Sequence, residues 1–179
     1  MISKEKTKPI IESLLFTQDK PLTVKKIEEV IPELEEGEIR TIMYELMEEY
    51  KAEQRGIQVI EIANGFQMCT KKQYEEYVQR LLTQSRSKKI SKPALETLSI
   101  IAYKQPITKV EIEAIRGVES GGVIRSLLQA RLIKMGGRKN VPGRPILYCT
   151  TEDFLAHFGL RDLSDLPPLH EVNQVIEEQ

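Results

Sequence analysis

Apolar residues recur along this chain at helical spacing, broken by short polar turns, and twice give way to strand-like runs. Leu15-Phe16-Thr17-Gln18-Asp19-Lys20-Pro21-Leu22-Thr23 aligns without a gap with Ile100-Ile101-Ala102-Tyr103-Lys104-Gln105-Pro106-Ile107-Thr108. The correspondence continues through Ile27 with Ile112 and Val30 with Ile115, a weak internal repeat that organises the whole chain. In each copy an apolar helix ends, a polar turn carries Pro, an apolar residue follows, and Thr opens a second helix. Thr suits that place because its hydroxyl accepts a free backbone N–H of the first turn. Thr108 and Glu111 also have capping-box spacing.

A third helix follows in each copy. Ile39, Ile42, Met43, Leu46, Met47 and Tyr50 fall on one helical face, as do Val123, Ile124, Leu127 and Leu128, which follow Gly121 and Gly122. A hairpin then closes each unit. Residues 56–63 and 66–70 flank Asn64-Gly65, a pair that favours a two-residue type I′ turn. Residues 132–135 and 146–150 flank a longer Gly-rich loop, 136–145. Helix, helix, helix, hairpin is the winged-helix order. The expected fold is mainly α with small β wings (α+β), as two tandem winged-helix domains. The N-terminal domain is placed at 1–72, a helix and basic linker at 73–91, the C-terminal domain at 92–160 and a flexible tail at 161–179. Tyr74, Tyr77, Val78 and Leu81 predict an amphipathic helix before the polar, basic stretch 83–91. In the tail, Leu160, Leu163, Leu166 and Leu169 stand among Asp and Pro, as in a docking segment without its own core.

Composition narrows the function classes. At 179 residues the chain has room for two winged-helix units of roughly 70–80 residues each. Acids and bases nearly balance, for a formal net charge of −1, whereas dedicated nucleic-acid binders carry a basic excess. MISKEKTKPI lacks the apolar core of a signal peptide, and no window approaches a membrane span. Cys69 and Cys149 lie far apart in strand-like runs and read as reduced thiols rather than a disulfide or metal pair. His157 and His170 are isolated, and no Gly-Lys-Ser phosphate loop is present. Neither catalytic residues, a metal nor a cofactor is expected, and the chain reads as a non-enzyme.

The third helix is the DNA-reading helix of many winged-helix proteins. Here the first copy opens it with Glu33, Glu35, Glu36 and Glu38, which would repel phosphate. The second opens it with Glu119-Ser120-Gly121-Gly122, without an Arg, Asn or Gln fork for a base. Arg125 and Arg131 read as solvated helix charges, and Gly143-Arg144-Pro145 as turn geometry rather than a minor-groove motif. The basic linker with Arg80, Arg86, Lys88, Lys89 and Lys92 reads as a connector. These features leave at most weak, non-specific DNA contact. Ile57 and Val59 share one strand face while Ile60 and Ile62 share the other. A strand apolar on both faces either carries a bulge or is covered on both sides, the second cover being another copy of the chain or the 73–82 helix. Tyr103-Lys104-Gln105-Pro106 is the leading partner-binding candidate, since Tyr joins apolar area to a polar tip. The rival reading is that Tyr103 closes the core of its helix.

The chain resembles, over roughly residues 8–167, the bacterial segregation and condensation protein B (ScpB) family. The most specific stretch runs from Ala94 to Thr108, followed by Ile115-Arg116-Gly117-Val118 and Ile124-Arg125-Ser126-Leu127-Leu128. Gly143-Arg144-Pro145-Ile146-Leu147-Tyr148 and residues 154–160 also match, as do Ile11-Glu12-Ser13-Leu14-Leu15-Phe16 and Gly56-Ile57-Gln58-Val59. Gln129-Ala130-Arg131-Leu132 departs from the family, which often has Gly before that Leu, so the helix is expected to end differently there. The resemblance implies a non-enzymatic adaptor of bacterial condensin, acting in chromosome condensation and segregation in the cytoplasm at the nucleoid. It implies a homodimer, joined through the first unit, that binds the kleisin ScpA and through it the SMC ATPase. Candidate partner-binding residues are Tyr103, Lys104, Gln105, Pro106, Arg116 and Arg144; candidate dimerisation residues are Ile57, Val59, Ile60 and Ile62. The alternative is a winged-helix transcriptional regulator that binds DNA.

Overall fold

The computed structural model describes residues 4–82 and 90–168. The chain divides into two compact units, Met1–Arg86 and Ser87–Gln179. The basic stretch 83–89 and the tail beyond 168 lie outside the described residues.

The first unit contains helices α1 (Lys4–Phe16), α2 (Val24–Val30) and α3 (Glu36–Tyr50), strands β1 (Ile57–Ile62) and β2 (Gly65–Thr70), and helix α4 (Glu75–Leu82). Thr23 caps α2, its hydroxyl accepting from the Lys26 N–H at 3.3 Å. Glu35 and Glu38 form a capping box on α3, so two of the four clustered glutamates satisfy helix-end groups. Ile39, Met43, Leu46 and Tyr50 make the buried stripe of α3, packed with Ile11, Leu15, Ile27, Val59 and Phe66.

Pairing of Ile62 with Gly65 makes Ala63-Asn64 the hairpin turn, with φ of 49° and 58°, rather than the expected Asn64-Gly65. A type I′ turn requires both central residues at positive φ. Gly65 serves a different need, because a Cβ there would lie 2.8 Å from the Leu22 carbonyl oxygen. That close approach lets Leu22 exchange two backbone hydrogen bonds with Phe66, at 2.8 and 2.9 Å, as a one-residue third strand.

The second unit repeats the plan with α5 (Lys92–Lys104), β3 (Ile107–Thr108), α6 (Lys109–Arg116), α7 (Gly121–Gln129), β4 (Ile133–Arg138), β5 (Ile146–Thr150) and α8 (Glu152–Phe158). Its antiparallel sheet has the order β3-β5-β4. Ile107 against Tyr148 matches Leu22 against Phe66, as the aligned repeat requires. The Thr108–Glu111 capping box is present. Strand β4 runs on through Gly136 and Gly137 to Arg138, with a register shift after Met135, so the loop is shorter than 136–145. Gly136 permits this continuation, since a Cβ there would fall 2.7 Å from Cys149 Sγ. At the end of α7, Leu132 N–H donates to Leu127 and Arg131 N–H to Leu128, a Schellman motif. Arg131 holds its left-handed position at φ 59°, where Gly is the usual occupant.

Candidate partner-binding site

Helix α5 presents two stripes. Leu98, Ile101 and Ala102 face the core of the second unit, while Leu95, Ser99 and Tyr103, four residues apart in turn, form a second stripe. Facing that stripe is α8, capped by Thr151, whose hydroxyl accepts from the Phe154 N–H at 3.1 Å and donates to the Arg131 carbonyl at 2.6 Å. Phe154 and Phe158 lie one turn apart on α8, ring centroids 5.0 Å from each other. Gly159, at φ 70°, ends the helix and turns the chain back.

The returning segment is organised by its own polar groups. Arg161 binds Asp165 through two side-chain bonds of 2.6 and 3.0 Å, and the Arg161 N–H donates to the same carboxylate at 2.8 Å. Those bonds hold the Asp165 carboxyl down at about 2. Asp162 caps the short 3-10 turn Leu163–Asp165 by accepting from the Ser164 N–H. Leu160, Leu166 and Pro167 are thereby placed beside Tyr103, whose hydroxyl donates to the Pro167 carbonyl at 2.6 Å. The result is an apolar groove of about 340 Å³ between α5, α8 and residues 160–167. Tyr103 forms its wall and ties down its third side, which differs from both closing the core and standing free.

The other sequence candidates have different surroundings. Lys104 and Pro106 are exposed at the end of α5 and in the following turn. Gln105 is engaged internally: its amide oxygen accepts from the Thr150 N–H at 2.7 Å, and its NH2 donates to Thr150 Oγ1 and the Ala102 carbonyl. The Arg116 side chain is only 8% exposed, bound to Ser120 at 3.0 Å and Glu96 at 3.2 Å. Arg144 is exposed in the second hairpin loop and does not line the groove. Leu95, Ser99, Phe154 and Phe158 line the groove without being among the candidates expected from sequence. The visible signal was a second i, i+4, i+8 stripe on α5 matched by a Phe pair one turn apart on α8.

In the first unit, Val59 and Ile62 are buried, Ile60 is half-buried and Ile57 is exposed. Helix α4 buries none of its residues, and leaves Tyr77 67%, Leu81 83% and Leu82 58% exposed. Cys69 and Cys149 are free, and partial burial pushes the Cys69 thiol up. Among the described residues no group of three or more His, Cys, Asp or Glu is placed to hold a metal, and no helix is long and apolar enough to cross a membrane.

The chain is similar to a segregation and condensation protein B from Clostridium tetani, 48% identical over 95% of this chain and 89% of that one. A segregation and condensation protein B from Symbiobacterium thermophilum is 50% identical, covering 90% of this chain and 73% of the other. A solved structure described as a dimer of the ScpB N-terminal domain complexed with a ScpA peptide is 35% identical, covering 43% of this chain and 95% of that one with a TM-score of 0.40. The family described as "Segregation and condensation complex subunit ScpB" matches residues 9–169. A doubled winged-helix plan, the capped turn at Thr108 and similarity along nearly the whole length agree: this chain belongs to the ScpB family of segregation and condensation complex subunits.

Proposed function

We propose that this chain is a non-enzymatic adaptor of the bacterial SMC–kleisin complex, acting as a homodimer that grips the kleisin ScpA. The observation that carries the reading is the groove walled by Leu95, Ser99, Tyr103, Phe154 and Phe158, which is preformed, apolar and rimmed by the Tyr hydroxyl. Its apolar lining suits the apolar face of an amphipathic helix, one of the recurring occupants of such grooves. Dimerisation is assigned to the first unit, where Tyr77, Leu81 and Leu82 on α4, and Ile57 on β1, are exposed apolar residues that a second copy would cover. Val59 and Ile62 act from behind, as the core beneath that surface. A sequence-reading transcriptional regulator is the weaker alternative, because α3 opens on acids and α7 on Ser120-Gly121-Gly122 without a base-reading fork.

Size-exclusion chromatography with light scattering tests this directly. The chain alone is expected at twice its 20.5 kDa, and with its cognate kleisin as one co-eluting species. A monomer that fails to associate with the kleisin overturns the proposal.

A further inference from the structure

The two units share one architecture but differ in the charge on their third helix and wing. Helix α3 carries Glu36, Glu38, Glu45, Glu48 and Glu49 against Arg40 alone. In the second unit, residues 120–151 span α7, β4, the loop and β5 without one Asp or Glu, yet include Arg125, Arg131, Lys134, Arg138, Lys139 and Arg144.

The structure shows how those cations are used. Lys139 pairs with Glu111 at 2.5 Å, tying the wing to the start of α6, and Arg138 donates to the Arg144 carbonyl at 3.1 Å. Arg125, Arg131, Lys134 and Arg144 are exposed and form no ion pair among the described residues. Of the neighbouring carboxylates, Glu111 is matched by Lys139 and Glu119 by Lys109 at 3.7 Å, while Glu152 and Asp153 sit on the first turn of α8 beside Arg131. The outward face of α7, Gly122, Arg125, Ser126 and Gln129, is small and polar, so nothing on it repels an anion or blocks close approach. None of the six cations lines the Tyr103 groove.

From this arrangement we infer that the α7–wing face of the second unit binds the phosphate backbone of duplex DNA, weakly and without regard to sequence. A peptide interface depends on a few buried apolar anchors. Point charges spread over a helix, its C-terminal end and a loop instead match a polyanion carrying one charge per ~1.7 Å of axis. The missing fork at the start of α7 removes base readout and leaves phosphate contact. Arg125, Arg131 and Arg144 are the contacting residues; Lys134 lies on the opposite face of β4 from the buried Ile133 and takes no part. Because this face is separate from the groove lining, its occupancy does not depend on the kleisin.

The test uses the full-length chain without kleisin and a fluorescently labelled 30-base-pair duplex of random sequence, followed by anisotropy across a salt series. Three phosphate contacts predict a log–log salt slope of about −2.7 per bound chain, at roughly −0.9 per contact. Arg125→Glu with Arg144→Glu should weaken binding at least ~10-fold and flatten the slope by about 2. Lys25→Glu, an exposed change in the first unit, should leave both unchanged, and all variants should melt with the wild type. Three results overturn the inference: no binding at low salt, equal binding by the Arg125/Arg144 variant, or displacement by poly-glutamate at the charge concentration at which unlabelled duplex displaces. The last would assign the face to an acidic protein.

Discussion

Replacing Gln105 by Ala should destabilise the second unit rather than act on a partner. Gln105 lies two residues beyond Tyr103, and its amide joins the end of α5 to the end of β5. Its oxygen accepts from the Thr150 N–H at 2.7 Å, and Thr150 is 7% exposed. Truncation leaves that buried N–H without its acceptor, at a cost of about 1–3 kcal/mol, while the bonds from the amide NH2 contribute about 1 kcal/mol more. The sum is about 3 kcal/mol, a large part of the stability of a unit this size. With a urea slope of about 2 kcal/mol/M, the midpoint of the full-length chain should fall by about 1.5 M. Far-UV circular dichroism would follow the transition, and amide exchange of β5 peptides would assign it to the second unit. Thr150→Val, which keeps the N–H but removes the hydroxyl, should show a coupling of about 1 kcal/mol with Gln105→Ala in a double-mutant cycle. A Gln105→Ala change within about 0.5 kcal/mol of wild type, with weakened kleisin binding, would refute this reasoning and return Gln105 to the interface.

Three further outcomes follow from single contacts. Lys139 and Thr108 hold the Glu111 carboxyl down to about 2 from an ordinary 4.5, so the stability it contributes is full above pH 4.5 and lost as pH falls toward 2. Glu111→Gln should therefore reduce the pH dependence of the urea midpoint in that window, with the remainder due to groups such as Asp165; an unchanged slope would contradict the assignment. Arg131→Gly should stabilise the chain by about 1 kcal/mol by relieving the left-handed backbone, and a lower melting temperature would argue against the Schellman geometry. Leu81→Asp should leave the melting of the isolated fold intact but shift light-scattering mass toward monomer, and a persistent dimer would take α4 out of the interface.

Much of the fold was legible because local and tertiary signals agree. Thr23 and Thr108 cap helices in equivalent places of a visible repeat, and the stripe on α3 points where its period says. The hairpin turn was misplaced by one residue for a reason that sequence cannot carry. Gly65 answers to the backbone of Leu22, more than forty residues away, and not to its own turn. The groove was half legible. Tyr103 stood out as an amphipathic residue at a turn, but its counterpart Phe154 is set by the Thr151 cap of α8, and Leu160 and Leu166 are brought to it by the cap at Gly159 and the Arg161–Asp165 clasp. Gln105 and Arg116 looked like surface chemistry because long polar side chains usually are. Here the folded chain draws one to Thr150 and the other to Ser120 and Glu96. The wing cations read as solvated one at a time; the run 120–151 without an Asp or Glu is what distinguishes them from the acidic α3.

Docking of the kleisin in the groove beside Tyr103 is tested most directly by calorimetric titration of ScpA into wild-type chain and Ser99→Arg. Ser99 lines the groove and is exposed on α5, so a guanidinium placed there fills the groove without disturbing the core. The account predicts at least ~10-fold weaker binding, about 1.4 kcal/mol, with melting temperature and dimer mass unchanged. Wild-type affinity in the Ser99→Arg protein would contradict it.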